Sequence, residues 1–163
     1  MIKESLRGKK IAITGATGFL GTALVELLLR EVDDVQLRLL IRPAGRRSPD
    51  KRVERDILRN DAFDFLKSSV GEENFKLLAE EKVKSLSADI SLDDLGMTEE
   101  AIQELGTCDI IIQSAAAVSF DEPLDRAAEV NLMGPVRLVE TLNKLGVKPH
   151  LVMVSTCYVA GNR

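Results

Sequence analysis

The sequence predicts an α/β fold, a doubly wound parallel sheet with helices on both faces. Three observations predict it. Short apolar segments alternate with longer amphipathic ones along the 163-residue chain, and that alternation builds βαβ units rather than hairpins. The first apolar segment runs directly into a glycine-rich turn, Thr14-Gly15-Ala16-Thr17-Gly18-Phe19-Leu20-Gly21, that opens a helix. The fourth is a continuous apolar run, as in strands covered by helices on both faces. Right-handed crossovers then place the first strand centrally, in the order 3-2-1-4-5. The length suits one domain, residues 1–163, with a core of its own.

The elements follow in order. Lys9 to Thr14 reads as the first strand. Phe19 to Glu31 reads as the first helix, with Phe19, Leu20, Ala23, Leu24, Leu27 and Leu28 as its apolar face and Thr22, Glu26 and Arg30 opposite. Val35 to Ile41 is the second strand; Arg42-Pro43 ends it, because proline cannot extend a ladder. Pro43 to Lys51 is a polar loop. A charged helix is predicted from there to about Lys67, with Val53, Ile57, Leu58, Phe63 and Leu66 inward. Gly71 breaks it, and a short helix runs to about Glu80. Lys82 to Ala88 is the third strand. A helix over Thr98 to Leu105 is capped by Thr98, with Glu99 and Glu100 favourable in its first turn. Asp109 to Ser114 is the fourth strand. A long helix spans about Pro123 to Leu145 and should kink at Gly134-Pro135. Leu151 to Ser155 is the fifth strand.

Composition excludes several classes of function. There are 22 basic and 26 acidic residues, a net charge of −4, and no basic stripe, so nothing favours a nucleic-acid partner. The two cysteines, Cys108 and Cys157, have no ligand-spaced neighbours. A zinc site or disulfide framework is not expected, and a reducing, cytoplasmic setting is. No apolar run approaches about 18 residues, so no transmembrane segment is expected.

The glycine-rich turn carries the chemistry. Strand, glycine turn and helix together form a dinucleotide site of the Rossmann type. Gly15 permits the tight turn, Gly18 lets the backbone approach a pyrophosphate, and Gly21 lets the helix lie close to the strand. Gly15, Thr17, Gly18, Phe19, Leu20 and Gly21 are therefore candidate cofactor contacts, with the pyrophosphate at the helix N-terminus. The end of the second strand distinguishes cofactors. An acid there would read a ribose 2′-hydroxyl; this chain has Arg42, with Arg46 and Arg47 close behind. A guanidinium can grip a 2′-phosphate bidentately, which points to NADPH. Arg46 and Arg47 read equally as ordinary loop arginines. Asp89 and Ile90, after the third strand, are candidates for the adenine, or else a turn-forming pair. Ala115, Ala116 and Ala117 follow the fourth strand and leave room for the ribose and phosphate, or else make a plain small-residue packing contact. Asn131 should bond back to backbone near the site as scaffold. Thr156, with Ser155 second, is the candidate catalytic hydroxyl, the alternative being polar residues that finish a strand. Cys157 has no neighbour to lower its pKa and reads as a buried filler. Tyr158 has Asn162 where a catalytic pair needs lysine. His150 reads as structural.

Four motifs stand in order: Gly15 to Gly21, Leu40-Ile41-Arg42-Pro43, Ala115 to Leu124 with Val118-Ser119-Phe120-Asp121-Glu122-Pro123-Leu124, and Val154-Ser155-Thr156-Cys157-Tyr158-Val159. Together they resemble the N-terminal reductase domain of fatty acyl-CoA reductases, the male-sterility-type branch of the extended short-chain dehydrogenase/reductases. Carboxylic acid and thioester reductase domains are related. Ala88 and Gln113-Ser114 depart from the usual pattern. The resemblance implies NADPH-dependent reduction of an acyl thioester, borne by CoA or by a carrier protein, to an aldehyde and/or alcohol. It also implies that a Tyr-x-x-x-Lys pair lies further on, so this sequence is expected to be an N-terminal piece, binding cofactor without turnover. A homodimer is compatible with such a domain. The other readings are a nucleotide-sugar epimerase or dehydratase, against which Arg42-Pro43 and Val118 to Leu124 argue, and a non-catalytic NADP(H)-sensing regulator.

Overall fold

A computed structural model describes residues 2–45, 47–119 and 121–156. Arg46, Phe120, Cys157, Tyr158, Val159 and Asn162, singled out above, lie outside the described residues. Five strands, β1 (Lys10–Thr14), β2 (Gln36–Ile41), β3 (Val83–Ser87), β4 (Ile110–Gln113) and β5 (His150–Met153), pair in parallel. Their order is β3-β2-β1-β4-β5, as the crossover argument predicts. The helices are α1 (Ile2–Ser5), α2 (Phe19–Glu31), α3 (Pro49–Arg52), α4 (Asp64–Val70), α5 (Glu72–Lys82), α6 (Glu99–Gly106), α7 (Leu124–Ala128) and α8 (Gly134–Leu145).

Strand side chains alternate between two cores with the period of two. Ile11, Ile13, Leu37, Leu39 and Ile41 face one, with Val25 and Leu29 of α2 and Phe75 of α5. Ala12, Leu40, Leu86 and Ile111 face the other, with Leu105 of α6 and Leu138 and Leu142 of α8. Each large apolar side chain buried this way contributes roughly 1.5–3 kcal/mol.

Three elements differ from expectation. The span of α2 is as predicted, but the helix is rotated. Gly21, Thr22, Val25, Glu26, Leu28 and Leu29 are buried, whereas Phe19, Leu20 and Leu27 face outward. Gly21 sets that rotation: a Cβ on it would lie 2.7 Å from the Ala16 Cα and would overlap the Gly15 carbonyl oxygen. Helix close approach therefore outranks the hydrophobic stripe. The charged helix predicted to Lys67 is segmented. A π-helical stretch, Val53–Leu58, is followed by a 3₁₀ turn, Asp61–Phe63. The Arg59 N–H bonds the Glu54 carbonyl, five residues back, at 3.1 Å, and Asn60 caps the next turn by accepting from the Ala62 N–H at 3.0 Å. The break lets Ile57 and Phe63 both be fully buried. The long helix is interrupted one turn earlier than its proline, by a π-helical segment over Glu129–Met133. The Gly134 N–H reaches the Glu129 carbonyl, and Pro135 supplies no donor to restore the tighter ladder.

Candidate cofactor site

All predicted site segments that are described lie along one edge of the sheet, the carboxyl ends of the strands. The glycine turn follows β1, Arg42 follows β2, Asp89 follows β3, Ala115 to Ala117 follow β4, and Ser155 and Thr156 follow β5. The switch point lies between β1 and β4, which pair directly while their crossovers run to opposite faces.

At that point the backbone is packed as closely as it can be. Gly15 has φ +70°, and a Cβ there would stand 2.8 Å from the Ala115 nitrogen and the Ser114 carbonyl. The Gly18 N–H closes the turn on the Gly15 carbonyl at 3.0 Å. Gly18 is also the N-cap of α2 and offers no side-chain cap. The first-turn N–H groups thus point out of the turn, with the helix dipole behind them. This donor set suits a pyrophosphate. Phe19, 97% exposed, and Leu20 lie beside it.

A buried polar pair holds the two strand ends together. Thr14 and Gln113 stand opposite in register, and the Thr14 hydroxyl donates to the Gln113 side-chain oxygen. Thr14 Oγ1 accepts from the Ser114 and Ala115 N–H groups at 3.0 Å each, and Gln113 Nε2 donates to the Ala115 carbonyl at 3.0 Å. In the sequence Gln113 stands out only as a departure from a pattern. The signal for its role is a polar residue closing an apolar strand whose register partner is also polar. Asn131 is scaffold, as expected. Its amide accepts from the Ala117 N–H at 2.7 Å and donates to the Ala117 carbonyl at 2.9 Å, so the π-helical segment brackets the loop after β4.

Arg42 is exposed, and among the described residues its guanidinium makes no ion pair. Its backbone is held instead: Arg52 Nη1 donates to the Arg42 carbonyl at 2.5 Å, while Arg52 Nε donates to Asp56 at 3.0 Å. Arg55, then Arg52, hold the Asp56 carboxyl below the usual aspartate range. Arg47 is exposed on the same loop, its N–H bonded to the Ala44 carbonyl. Asp89 is half-buried and makes an Asx turn, accepting from Ser91 N at 3.0 Å and Ser91 Oγ at 2.7 Å. Ile90 is buried against Gly134. Ser155 and Thr156 are exposed, just past the Val154 N–H that bonds the Gln113 carbonyl at 2.9 Å. His150 opens β5 and is exposed, its N–H on the Asp109 carbonyl. Burial pushes the Cys108 thiol up to about 11, which leaves it inert at neutral pH.

A cleft of about 130 Å³ adjoins the turn, lined by Thr17, Gly18, Phe19, Thr22, Asn60 and Ala62 among others. A larger one, about 840 Å³, lies away from the strand ends, beside edge strand β3. Its lining sets five acids, Asp50, Glu54, Glu72, Glu73 and Glu80, against three bases, Arg59, Lys67 and Lys76, a balance that does not favour phosphates. The smaller cleft is therefore the one that fits the turn's chemistry. Among the described residues no helix is long and apolar enough to cross a membrane.

Comparison with known proteins gives this geometry a context. The family described as Male sterility protein, an NAD-binding domain, matches residues 13–163. A probable fatty acyl-CoA reductase 4 of Arabidopsis thaliana is 37% identical over 98% of this chain and 33% of its own length. Among solved structures, the reductase domain of a non-ribosomal peptide synthetase from Mycobacterium tuberculosis aligns with TM-score 0.71 and 31% identity. It covers 94% of this chain and 34% of that one. The terminal R domain of the myxalamid biosynthetic pathway aligns with TM-score 0.70 and 27% identity, over 93% and 35%. The chain thus spans about a third of the length of the curated relatives it matches.

Proposed function

Because the chain belongs to the Male sterility protein family of NAD-binding domains, we propose that it is the cofactor-holding part of an acyl thioester reductase. The reductase uses NADPH to convert a fatty acyl-CoA to the aldehyde, the alcohol or both. One observation carries the reading: a glycine turn packed against Ser114 and Ala115 at the switch point, with the N-terminus of α2 uncapped beside it.

The backbone of Gly15 to Gly21 holds the pyrophosphate. Arg42, joined by Arg46, grips the 2′-phosphate, and the hydrogen bond from Arg52 fixes where Arg42 starts. Asp89 and Ile90 meet the adenine; Ala115, Ala116 and Ala117 admit the ribose and phosphate. When bound, NADPH supplies the hydride for the thioester carbonyl carbon. The Thr156 hydroxyl, with Ser155 as second choice, donates a hydrogen bond to the carbonyl oxygen and stabilises the charge that develops there before the C–S bond breaks. A reducing, cytoplasmic compartment fits a free, buried Cys108.

The test follows NADPH absorbance in the full-length protein with a long-chain acyl-CoA. Thr156→Ala should lower kcat about tenfold or more while NADPH affinity stays within about twofold, because the hydroxyl acts on the developing charge. Absence of NADPH oxidation with both acyl-CoA and a carrier-bound acyl thioester overturns the reading. The likeness to synthetase reductase domains favours one further substrate, an acyl group on a carrier protein. Faster turnover of that thioester than of acyl-CoA would identify it.

A further inference from the structure

The chain between β3 and α6 carries Asp89 and Ile90 and has a demanding backbone. Asp94, Leu95 and Gly96 have φ of 48°, 58° and 57° in succession. Leu95 is fully buried in that left-handed conformation. A non-glycine residue stays there only where its surroundings over-determine it.

Helix α8 supplies those surroundings. Gly134 brings the helix start against Ile90, where a Cβ would stand 2.9 Å from Cδ1. One turn on, Arg137 forks. Its Nε donates to Asp93 at 3.4 Å and its Nη2 to Glu129 at 2.5 Å. Two turns further, Lys144 pairs with Asp94 at 2.6 Å. The third guanidinium nitrogen, Nη1, is buried and has no hydrogen-bond partner among the described residues.

Stability does not explain this arginine. The Asp93 side chain is 98% exposed, and pairs with exposed carboxylates contribute little. Leaving a buried donor unmet is unfavourable. What the fork achieves is geometric. It joins Asp93, on the loop of Asp89, to Glu129, on the π-helical segment of Asn131. We propose that Arg137 is a positioning residue for the adenine end of the cofactor site, holding the loop of Asp89 at a set distance from the segment of Asn131. The inference rests on Asp89 meeting the adenine, as proposed above.

The experiment uses the full-length protein and two half-cofactors, adenosine 2′,5′-bisphosphate and reduced nicotinamide mononucleotide. Arg137→Gln should weaken the adenosine half about fivefold, the equivalent of about 1 kcal/mol, and leave the nicotinamide half unchanged. Arg137→Lys should recover part of the loss. Asp93→Ala removes the exposed end of the fork without touching the core, and should shift the same ligand in the same direction. Melting temperatures should stay within about 2 °C of wild type. Unchanged adenosine affinity in both Arg137→Gln and Asp93→Ala overturns the inference, as does a parallel fall of both halves with the melting temperature. Wild-type protein that ignores the adenosine half overturns the cofactor reading along with it.

Discussion

The turn after β1 and the loop after β2 hold opposite ends of one proposed ligand, and they are built by different means. The turn is a matter of backbone. Gly15 and Gly21 are places where a single carbon would collide with main-chain atoms, and the neighbouring Thr14–Gln113 pair is buried and carries no charge. The loop is a matter of side chains. Arg42 and Arg47 are exposed, and the loop's anchor is a chain of polar contacts from Asp56 through Arg52 to the Arg42 carbonyl. Steric necessity makes the first region rigid and intolerant. Charge makes the second selective but replaceable.

Substitutions can break this contrast, and the largest effect belongs to the turn. Gly21→Ala should destabilise the fold by about 3 kcal/mol, the upper range for overpacking against atoms that cannot move. Chemical denaturation reads this directly, and a near-neutral result would mean that α2 can slide on β1. Gln113→Leu comes next. It leaves the Thr14 hydroxyl without its buried acceptor, for a loss of about 1–3 kcal/mol. In the loop, Arg42→Ala should leave the melting temperature untouched and weaken NADPH about tenfold, with NADH unaffected, as loss of one charge-assisted contact requires. Calorimetric titration of both cofactors measures it. The smallest effect is a dependence on acidity. Asp56 is held below its ordinary value of 3.8 by Arg55 and Arg52. Its ionised form therefore stabilises the fold above that value, and the contribution disappears as pH falls through the lowered one. Amide exchange at acid pH should open residues 43–59 before the turn of residues 14–22, which has no titratable group.

The same contrast explains how much was legible in the sequence. Strand order, the glycine turn and the Asn131 scaffold were all readable, because they follow from local pattern and from backbone rules. The face of α2 was not. Its apolar residues offer two overlapping stripes, and the choice depends on Gly21 lying under the Gly15 carbonyl, a contact that periodicity does not encode. Pro135 marks the long helix for interruption, but that the break falls one turn earlier, with the Gly134 N–H on the Glu129 carbonyl, is not encoded in the periodicity. Gln113 was visible as a polar residue, but its meaning required the register that sets it opposite Thr14. At the candidate site, residue identities at Arg42 and Asp89 could be read directly, whereas the Arg52 and Arg137 contacts that hold their segments are long-range.

Gly18 separates ligand binding from folding better than any other position. Its backbone is extended, with φ −83° and ψ 170°, which valine adopts readily. A Cβ there meets only the Gly15 carbonyl oxygen, at 3.3 Å, while the rest of the side chain would occupy the space proposed for the pyrophosphate. The decisive measurement is a calorimetric titration of NADPH into wild type and Gly18→Val, with thermal melts of both. Saturable binding is expected in wild type and none in Gly18→Val, with melting temperatures within about 4 °C, the equivalent of about 1–2 kcal/mol. Equal NADPH binding by the two proteins would contradict the placement of the cofactor on the glycine turn.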